Sequence, residues 1–237
     1  MKEFIKSILK KSPIPLSKNH LYDIQTTKIL KQLKPNSNCI DVGCFKGEIL
    51  DLMNKYAPKG QHFGIEPVPQ SYANLSAKFK NISNCTILNI AASDAKGETQ
   101  FNYVVSNPSY SGLIKRDYDR PTEKDEQITV QTERLDEVIP NDLPIDLIKI
   151  DVEGAEYQVL QGAKNIIQKY QPMVIFEHGL GASNHYGTTP EMVYEYFADL
   201  GMNIYNLNAY LDKKEPLSLQ GFSDQYHNKD HYYFVAK

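Results

Sequence analysis

The sequence predicts an α/β protein whose core is a mostly parallel sheet of seven strands with helices on both faces. Short apolar runs alternate with stretches that carry apolar residues at helical spacing, which is the pattern of a parallel sheet covered on two sides. Several of these runs end in polar residues, as strands do where they reach a ligand site. Hydrophobic residues make up 41% of the 237 residues, which is enough for a sizeable core.

Each element is predicted from its own pattern. The predicted strands of the sheet cover residues 39–42, 62–66, 86–90, 147–151, 173–177, 203–206 and 232–236. The predicted helices cover residues 20–33, 48–56, 70–79, 156–170 and 190–200. Residues 101–105 and 128–132 break the alternation and are predicted to pair as extra strands. The long polar loop between them, 106–127, is of a length that is usually functional or mobile in a compact domain.

The N-terminal part of the chain differs in charge from the remainder. Residues 1–34 hold eight lysines against Glu3 and Asp23 and so carry +6, whereas the whole chain carries −3. We therefore expect a basic N-terminal arm and helix over 1–34 and one domain over 35–237. One face of the arm either packs on the domain or makes weak contact with an anionic membrane. That face is formed by Phe4, Ile5, Ile8 and Leu9.

Composition argues against several classes of protein. A net charge of −3 argues against a nucleic-acid partner, because phosphate binding needs clustered Lys and Arg. No run of about 18 apolar residues occurs in the sequence, so we expect no transmembrane segment. Cys39, Cys44 and Cys85 lack the spacing of a zinc site or disulfide framework, and no secretory signal is visible. We therefore expect a cytoplasmic protein.

The first candidate site follows the first predicted strand, where Asp41, Gly43 and Gly47 form a DxGxxxG sequence. Glycines at such a strand-to-helix turn let a cofactor approach the backbone. Dinucleotide enzymes usually have GxGxxG at this turn, because a pyrophosphate lies against the helix N-terminus. An acid in place of the first glycine repels a pyrophosphate but can orient a charged amino group, which favours S-adenosylmethionine. The alternative is a tight turn without a ligand.

Two further segments extend this site. Glu66 follows the second strand at the distance where an acid holds a ribose diol in dinucleotide folds, although it is alternatively an acid at a solvated strand end. Residues 89–94 read NIAASD after the third strand, and their small side chains leave space for an adenine. Ser93 or Asp94 either hydrogen-bonds the edge of the adenine or caps the following turn.

Residues 148–163 read IKIDVEGAEYQVLQGA and carry a family resemblance. They resemble the FkbM-type methyltransferases, which typically have IDVEGxE followed by a VLxGA-like helix. The pattern falls on Asp151, Val152, Glu153, Gly154 and Glu156. The resemblance extends over residues 38–178, includes RLDEVI at 134–139, and reaches the last strand more loosely. It implies a Rossmann-like class I methyltransferase fold, S-adenosylmethionine as donor, and usually O-methylation of sugars or natural products.

One departure from the family pattern lies in the first turn. Cys44 and Phe45 stand where the family commonly has Ala and Asn. Because the cofactor meets mainly backbone at such a turn, we expect cofactor binding to survive this change.

Candidate catalytic residues lie at the ends of the fourth and fifth strands. Asp151, Glu153 or His178 can accept the proton of an acceptor hydroxyl, since strand ends are the usual location of active sites in this architecture. Alternatively, Asp151, Glu177 and His178 can hold Mg²⁺ or a similar ion. A third reading makes Glu153 and Glu156 acids that complement a helix dipole. The sequence leaves both the base and metal dependence open.

Acceptor recognition is expected from two polar loops. The candidates are Tyr110, Ser111, Lys115, Arg116 and Tyr118 in the first loop, and Asn184, His185 and Tyr186 in the second. The predicted function is methyl transfer from S-adenosylmethionine to a hydroxyl of a sugar or related small acceptor, with the donor over strands one to three. The alternatives are a nicotinamide-dependent oxidoreductase, disfavoured by the missing GxGxxG, and a non-catalytic cofactor-binding protein. The sequence does not indicate the oligomeric state.

Overall fold

The computed structural model describes residues 15–116 and 122–237 and contains two sheets. The strands are β1 Cys39–Val42, β2 His62–Ile65, β3 Cys85–Leu88, β4 Ala91–Ala92, β5 Gly97–Val104, β6 Asp125–Glu133, β7 Leu147–Ile150, β8 Met173–Glu177, β9 Ile204–Asn206 and β10 Tyr233–Ala236. The main sheet has the order β3-β2-β1-β7-β8-β10-β9. β10 is antiparallel to both of its neighbours, and the other pairs are parallel. The predicted fold class is therefore confirmed.

Helices connect the strands in the predicted alternation. They are α1 Lys18–Leu30, α2 Glu48–Tyr56, α3 Pro69–Phe79, α4 Leu135–Val138, α5 Glu156–Gly162, α6 Lys164–Tyr170, α7 Pro190–Asp199, α8 Leu207–Leu211 and α9 Leu219–His227. Ser17 caps α1, because its side chain accepts a hydrogen bond from the backbone N–H of His20 at 3.1 Å. Thr189 caps α7 in the same way, so both helices begin where a capping residue precedes the helical spacing.

The core has two halves, one on each face of the main sheet. Successive side chains of a strand point to opposite faces. Ile40 and Ile148 accordingly pack with α4 to α7 and α9, whereas Cys39 and Leu147 pack with α1, α2, α3 and α8. Both faces are therefore covered by helices, as the fold class requires.

The extra strands form a small second sheet of order β4-β6-β5. β5 and β6 are antiparallel and pair Phe101 with Ile128, which confirms the predicted pair. Phe101 and Val130 bury a small apolar cluster with Val68 and Ala91. This second sheet therefore packs close to the ends of β2 and β3.

The helical predictions were incomplete in two ways. The single helix expected over 156–170 is two helices, because Ala163 between them has non-helical dihedral angles of −109° and 11°. The helices α4, α8 and α9 were not predicted: α4 and α8 are only four and five residues long, and the polar sequence of α9, LQGFSDQYH, buries only Phe222 and Tyr226. Its few apolar positions leave little periodic signal.

The order of the strands reverses at β1. The chain runs from β1 outward to β2 and β3, and then crosses back to place β7 on the other side of β1. In open α/β sheets, ligands bind outside the carboxyl ends of the strands at such a reversal. The fold therefore directs attention to the ends of β1 and β7.

Parts of the predicted N-terminal arm lie outside the described residues, including Phe4, Ile5, Ile8 and Leu9. Among the residues that the structure describes, no helix combines the length and apolar character needed to cross a bilayer.

Replacing Gly162 by Ala tests the close approach of the end of α5 to the backbone of Ser93. A Cβ at this position would lie 1.9 Å from the carbonyl oxygen of Ser93, which is backbone and cannot move freely. We expect Gly162→Ala to lower the free energy of unfolding by about 1 to 3 kcal/mol, measured by urea denaturation. The control is Gly97→Ala, whose Cβ would meet its nearest neighbour at an ordinary 3.6 Å. Equal stability of the two variants would contradict the close approach.

Candidate active site

A cavity of about 140 Å³ opens at the carboxyl ends of β1, β2 and β7. We call it the inner cavity. Its apolar wall includes Ile65, Val68, Ala91, Ala92 and Phe101. Its polar residues include Glu66, Ser109, Ser111, Asp151 and Glu153. The inner cavity lies at the reversal of strand order, so the fold and the cavity point to the same place.

The turn after β1 forms one edge of the inner cavity. Gly43 and Gly47 both have positive φ, at 76° and 68°. A Cβ on Gly43 would lie 1.9 Å from the carbonyl oxygen of Asp151, so only glycine lets the turn approach β7 this closely. A Cβ on Gly47 would instead meet Phe79 at 2.7 Å. Gly43 therefore shapes the cavity, whereas Gly47 permits packing of the turn against α3.

Glu66 lies at the opposite edge, where its carboxylate is already held by backbone. It accepts hydrogen bonds from the N–H groups of Phe45 at 2.9 Å and Val68 at 3.0 Å. Burial raises the pKa of Glu66 to about 7, although these two hydrogen bonds act in the opposite direction. Glu66 is therefore fixed in orientation and faces the cavity with a carboxyl group that titrates near neutral pH.

Asp41 is buried behind this edge and faces Lys149. The register of β1 and β7 places the two residues side by side, and the Lys149 Nζ lies 3.6 Å from an oxygen of Asp41. The same Nζ lies 3.3 Å from an oxygen of Asp151. Burial alone would lower the pKa of Lys149, but the charges of Asp151 and Asp41 raise it overall. Lys149 therefore stays charged between two carboxylates.

Three carboxylates converge beyond Lys149. Asp151, Glu153 and Glu177 each place one oxygen within 4.8 Å of the others. Burial would raise the pKa of Asp151, but Lys149 and the Tyr233 hydroxyl, which donates to it, lower the pKa overall. Burial and the charge of Asp151 raise the pKa of Glu177 well above its usual value. The shared proton of the cluster therefore lies on Glu177, and Asp151 is ionised.

Glu153 differs from the other two carboxylates in its backbone conformation and in its ion pair with Arg116. Its φ is 59°, a left-handed conformation that glycine adopts more readily, so the turn after β7 is held by its surroundings. Burial and the charge of Asp151 raise the pKa of Glu153 to about 8, while the Arg116 ion pair acts in the opposite direction. Arg116 also lies over the ring of Tyr110, 4.7 Å from its centroid. Arg116 thus ties the 106–116 loop to the carboxylates.

Glu156 has a structural role that the helix-dipole reading only approximates. Its side chain accepts hydrogen bonds from the N–H groups of Val152 at 3.0 Å and Gly154 at 3.1 Å. Glu153 precedes α5 and is not in its first turn. The two acids of the motif are therefore different: Glu156 fixes the turn, and Glu153 faces the cavity.

His178 does not join the carboxylates. Its ring is buried and stacks on Phe222 at 5.5 Å and Tyr226 at 4.8 Å between centroids. Burial lowers the pKa of His178 to about 4, so the ring is neutral at ordinary pH. His178 is therefore corrected both as a candidate proton acceptor and as a member of the alternative metal grouping with Asp151 and Glu177, because its ring lies against α9.

Ser93 and Asp94 also lie apart from the inner cavity as the described residues outline it. The Ser93 hydroxyl donates to Asp94 at 3.1 Å, and the Ser93 carbonyl packs against Gly162. Ala91 and Ala92, from the same predicted segment, do line the cavity. Ala91 and Ala92 therefore lie where the sequence placed them, whereas Ser93 and Asp94 pair with each other outside the cavity.

The two polar loops contact each other above the cavity. The Tyr186 hydroxyl accepts a hydrogen bond from the Ile114 N–H at 2.9 Å, and burial raises the pKa of Tyr186 to about 12. The Ser111 hydroxyl accepts from the Val104 N–H at 2.9 Å and lines the inner cavity. Lys115 pairs with Asp125 at 2.7 Å. The polar groups of Tyr186, Ser111 and Lys115 therefore make contacts within the protein that hold the 106–116 loop in place.

The remaining loop candidates differ in position. Asn184 accepts a hydrogen bond from the Gly181 N–H at 2.6 Å, and His185 beside it is half-buried. Tyr118 lies outside the described residues.

A larger cavity of about 600 Å³ adjoins the inner cavity. We call it the outer cavity. The two meet at Gly43, Phe45, Ser109, Asp151 and Glu153, which line both. The far walls of the outer cavity come from α1 and from the start of β10, and include Asn19, Tyr22, Asp23, Thr26, Tyr232 and Tyr233. Asp151 and Glu153 therefore stand where the two cavities join.

Sequence reasoning missed Lys149, Tyr233 and Tyr22. Lys149 had a visible signal, since a lysine stands in the otherwise apolar strand LIKI. Tyr233 lies 82 positions from Asp151 in the chain, and its contact depends on β10 packing beside β8. No local sequence pattern predicts the contact between Tyr233 and Asp151.

The strand order, the antiparallel β10 and a site at the ends of β1 and β7 define a Rossmann-like class I methyltransferase fold. The chain belongs to the Methyltransferase FkbM domain family, whose sequence profile matches residues 41–204. The resemblance predicted from the IDVEG segment is therefore confirmed. Family membership favours methyl transfer over the nicotinamide-dependent oxidoreductase alternative.

Two curated relatives are similar in sequence. The chain is 29% identical over 148 residues to 2-O-methyltransferase NoeI of Sinorhizobium fredii, covering 57% of this chain and 61% of that protein. It is 28% identical over 173 residues to methyltransferase sdnD of Sordaria araneosa, covering 61% of this chain and 64% of that protein. The matches thus span less than two thirds of either relative. Among solved structures, methyltransferase FkbM from Methylobacillus flagellatus is 18% identical, with a TM-score of 0.46 over 62% of this chain and 34% of that chain.

Lys149→Met tests the electrostatic role of the buried lysine. The variant leaves Asp41 and Asp151 buried without their cation, and we expect a loss of about 3 to 5 kcal/mol in the free energy of unfolding near pH 8. Without the cation, the folded-state pKa values of both acids rise, so the loss should shrink as the pH falls and the acids become neutral. Urea unfolding at pH 8 and pH 5 measures both effects.

The control is Lys214→Met, which removes an exposed pair with Asp212 and should change stability by about 1 kcal/mol or less at either pH. A loss in Lys149→Met that is independent of pH would contradict the pairing.

Proposed function

We propose that the protein binds S-adenosylmethionine with its adenosine part in the inner cavity and its cationic end at the junction of the two cavities, and transfers its methyl group to a hydroxyl oxygen of an acceptor in the outer cavity. The observation that carries this proposal is the junction of the two cavities at Asp151 and Glu153, beside the close turn at Gly43. Donor and acceptor would meet at that junction. The 2-O-methyltransferase name of a relative supports oxygen as the methylated atom.

The inner cavity fits the parts of this donor. Val68, Ala91 and Phe101 form an apolar wall against which an adenine can pack. The fixed carboxylate of Glu66 is suited to accept hydrogen bonds from both ribose hydroxyls. Asp151 lines the cavity near the turn and supplies negative charge for the cationic end of the donor. These residues would hold the donor.

Asp41 takes a different part from the one expected of it. It is buried against Lys149, and we propose that it acts on the donor through Lys149 and the shape of the turn. Asp41 is therefore a positioning residue in this proposal.

The chemistry needs a methyl donor and one proton acceptor. When bound, S-adenosylmethionine supplies an activated methyl group on a positively charged sulfur. We propose Asp151 as the group that accepts the hydroxyl proton as the new oxygen–carbon bond forms, because Lys149 and Tyr233 keep it ionised at the junction. Alignment of the acceptor oxygen with the methyl group supplies much of the remaining rate.

The other candidates are less suited to accept the proton. Glu153 has a pKa of about 8 and so holds its proton over much of the neutral range. His178 is buried among aromatic rings away from the junction. Arg116, Lys149 and the proton on Glu177 balance the charge of the carboxylate cluster, and the proposal assigns no step to a metal ion.

We also propose a sugar or related hydroxyl-rich small molecule as the acceptor, and the cytoplasm as the place of action. Tyrosine and carboxylate side chains dominate the outer cavity, and both suit a ligand with many hydroxyls. Cys39, Cys44 and Cys85 are free thiols, which fits a reducing compartment. The net charge of −3 supports a partner other than nucleic acid.

Glu66→Ala tests the donor site. We expect S-adenosylhomocysteine binding, measured by calorimetry, to weaken by about 1 to 3 kcal/mol through loss of the ribose hydrogen bonds. Glu126→Ala, which changes an exposed residue of β6, is the control. Unchanged affinity in the Glu66 variant would remove this residue from the proposed site.

The pH dependence of donor binding tests the same carboxylate. Because the pKa of Glu66 is about 7, its charged form is lost as the pH falls through that value. We expect the affinity for S-adenosylhomocysteine to fall between pH 8 and pH 6 in the wild type and to vary less in Glu66→Gln. A steeper fall in the variant than in the wild type would be inconsistent with the assignment.

Asp151→Asn tests the proposed proton acceptor. We expect folding to persist, as judged by thermal unfolding, and methyl transfer to slow by about 100-fold or more. Transfer is measured as label passed from methyl-labelled S-adenosylmethionine to a glycan-precursor extract. The control is Asp212→Asn at the surface. Turnover at the wild-type rate in Asp151→Asn would exclude Asp151 as the base.

A further inference from the structure

A third cavity continues from the outer cavity and has no part in the function proposed so far. We call it the side cavity, and its volume is about 430 Å³. It is lined by residues 179–182 after β8 and by Tyr226, Lys229 and His231. Arg116, Glu177 and Tyr232 line both the outer and the side cavity. The two cavities therefore form a continuous cleft that leads away from the junction with the inner cavity.

We propose that the outer and side cavities are two subsites of one acceptor cleft, which takes a linear oligosaccharide whose reacting sugar carries no phosphate. This inference rests on the proposed methyl transfer, since it assigns the substrate class of the same site. The reacting sugar occupies the outer cavity beside Asp151, and the next sugar of the chain occupies the side cavity.

The size of the cleft supports an acceptor longer than one sugar. Small-molecule sites usually have volumes of about 300 to 1,000 Å³. The outer cavity alone, at about 600 Å³, is in the middle of that range, and one sugar ring is smaller than the ligands for which such volumes are typical. The side cavity of about 430 Å³ adds room for a second ring.

Aromatic rings at the join are held in place before any ligand binds. Tyr22 packs edge-on against Tyr232 with centroids 4.8 Å apart and lies 5.2 Å from Tyr233. Lys18 lies 5.8 Å from the centroid of the Tyr232 ring, and the Tyr232 hydroxyl bonds to Asn19. The half-buried ring of Tyr232 is thus a fixed aromatic surface that needs no ordering when a ligand binds. A chain of sugars crossing Tyr232 meets such a surface.

The charge of Asp151 at the junction argues against a phosphorylated reacting sugar. Asp151 carries a negative charge there, and the nearby cations Lys149 and Arg116 already lie against carboxyl groups. A phosphate attached to the reacting sugar would be repelled by Asp151 and would find Lys149 and Arg116 already paired. An uncharged sugar avoids this repulsion, and its hydroxyls can donate to the carboxylates.

Much of this cleft comes from parts of the chain outside the matched family domain. Tyr22 precedes residue 41, and Lys229, His231, Tyr232 and Tyr233 follow residue 204. Selection for the length of the acceptor is therefore a property that α1 and the C-terminal segment add to the shared domain.

The test compares three forms of each of three sugars with methyl-labelled S-adenosylmethionine. Maltotriose, chitotriose and mannotriose are compared with glucose, N-acetylglucosamine and mannose, and with the matching nucleoside-diphosphate sugars. We expect at least one trisaccharide to be methylated with a kcat/KM about tenfold or more above that of its monosaccharide. We expect the nucleoside-diphosphate forms to be the poorest acceptors.

A variant that fills the side cavity locates the effect. Leu180 is exposed at its edge, and Leu180→Trp narrows it. We expect the ratio of the trisaccharide kcat/KM to the monosaccharide kcat/KM to fall toward one. Leu219→Trp, at a similarly exposed leucine on α9, is the control and should keep the wild-type ratio.

Several outcomes would overturn the proposal. They are equal use of monosaccharide and trisaccharide, preference for a nucleoside-diphosphate sugar, and an unchanged ratio in Leu180→Trp. Failure to methylate any trisaccharide would also overturn it if the protein binds S-adenosylhomocysteine in calorimetry. Absence of that binding would instead overturn the proposed donor site, and the two failures are thereby distinguished.

Discussion

The buried ammonium group of Lys149 is the interaction on which the site depends. It lies between Asp41 and Asp151, which come from the neighbouring strands β1 and β7, and it is the cation that both carboxylates share. A buried carboxylate without such a partner becomes neutral or destabilises the fold. The ionised state of Asp151 at the cavity junction therefore follows from the register of two strands.

The ammonium group of Lys149 also gives the neighbouring acids different protonation states. Asp151 has the ammonium of Lys149 and the hydroxyl of Tyr233, so its pKa is low, whereas Glu177 beside it holds a proton. Glu153 lies between these extremes, with Arg116 against it and a pKa of about 8. Carboxyl groups whose environments push their pKa values apart are typical of sites that move protons. In the proposed function Asp151 is the base, and the protonated Glu177 beside it adds no further negative charge.

The sequence predicted the sheet well because a buried strand appears as an apolar run in the sequence. The pairing of charged side chains has no such local pattern, and it was not predicted. Apolar runs marked every strand of the main sheet to within two residues, and Asp41, Gly43, Glu66, Asp151 and Glu153 all lie near its reversal point. The lysine of the LIKI strand was visible, but its partners depend on a register that no local pattern reports. His178 failed for a related reason: the end of a strand predicts nearness to the site, and the direction of the side chain is decided by the aromatic rings of α9.

In the proposed function, the distribution of constraints along the chain would let one domain keep its chemistry while its acceptor changes. Close backbone approaches, such as Gly43 against Asp151, fix the donor side and tolerate almost no substitution. The acceptor side is built from tyrosines and loop residues contributed by α1, the 106–116 loop and the C-terminal segment, whose side chains can change without moving the sheet. Because the junction at Asp151 belongs to the rigid part, a changed acceptor wall would, in the proposed function, still bring a hydroxyl to the same carboxylate.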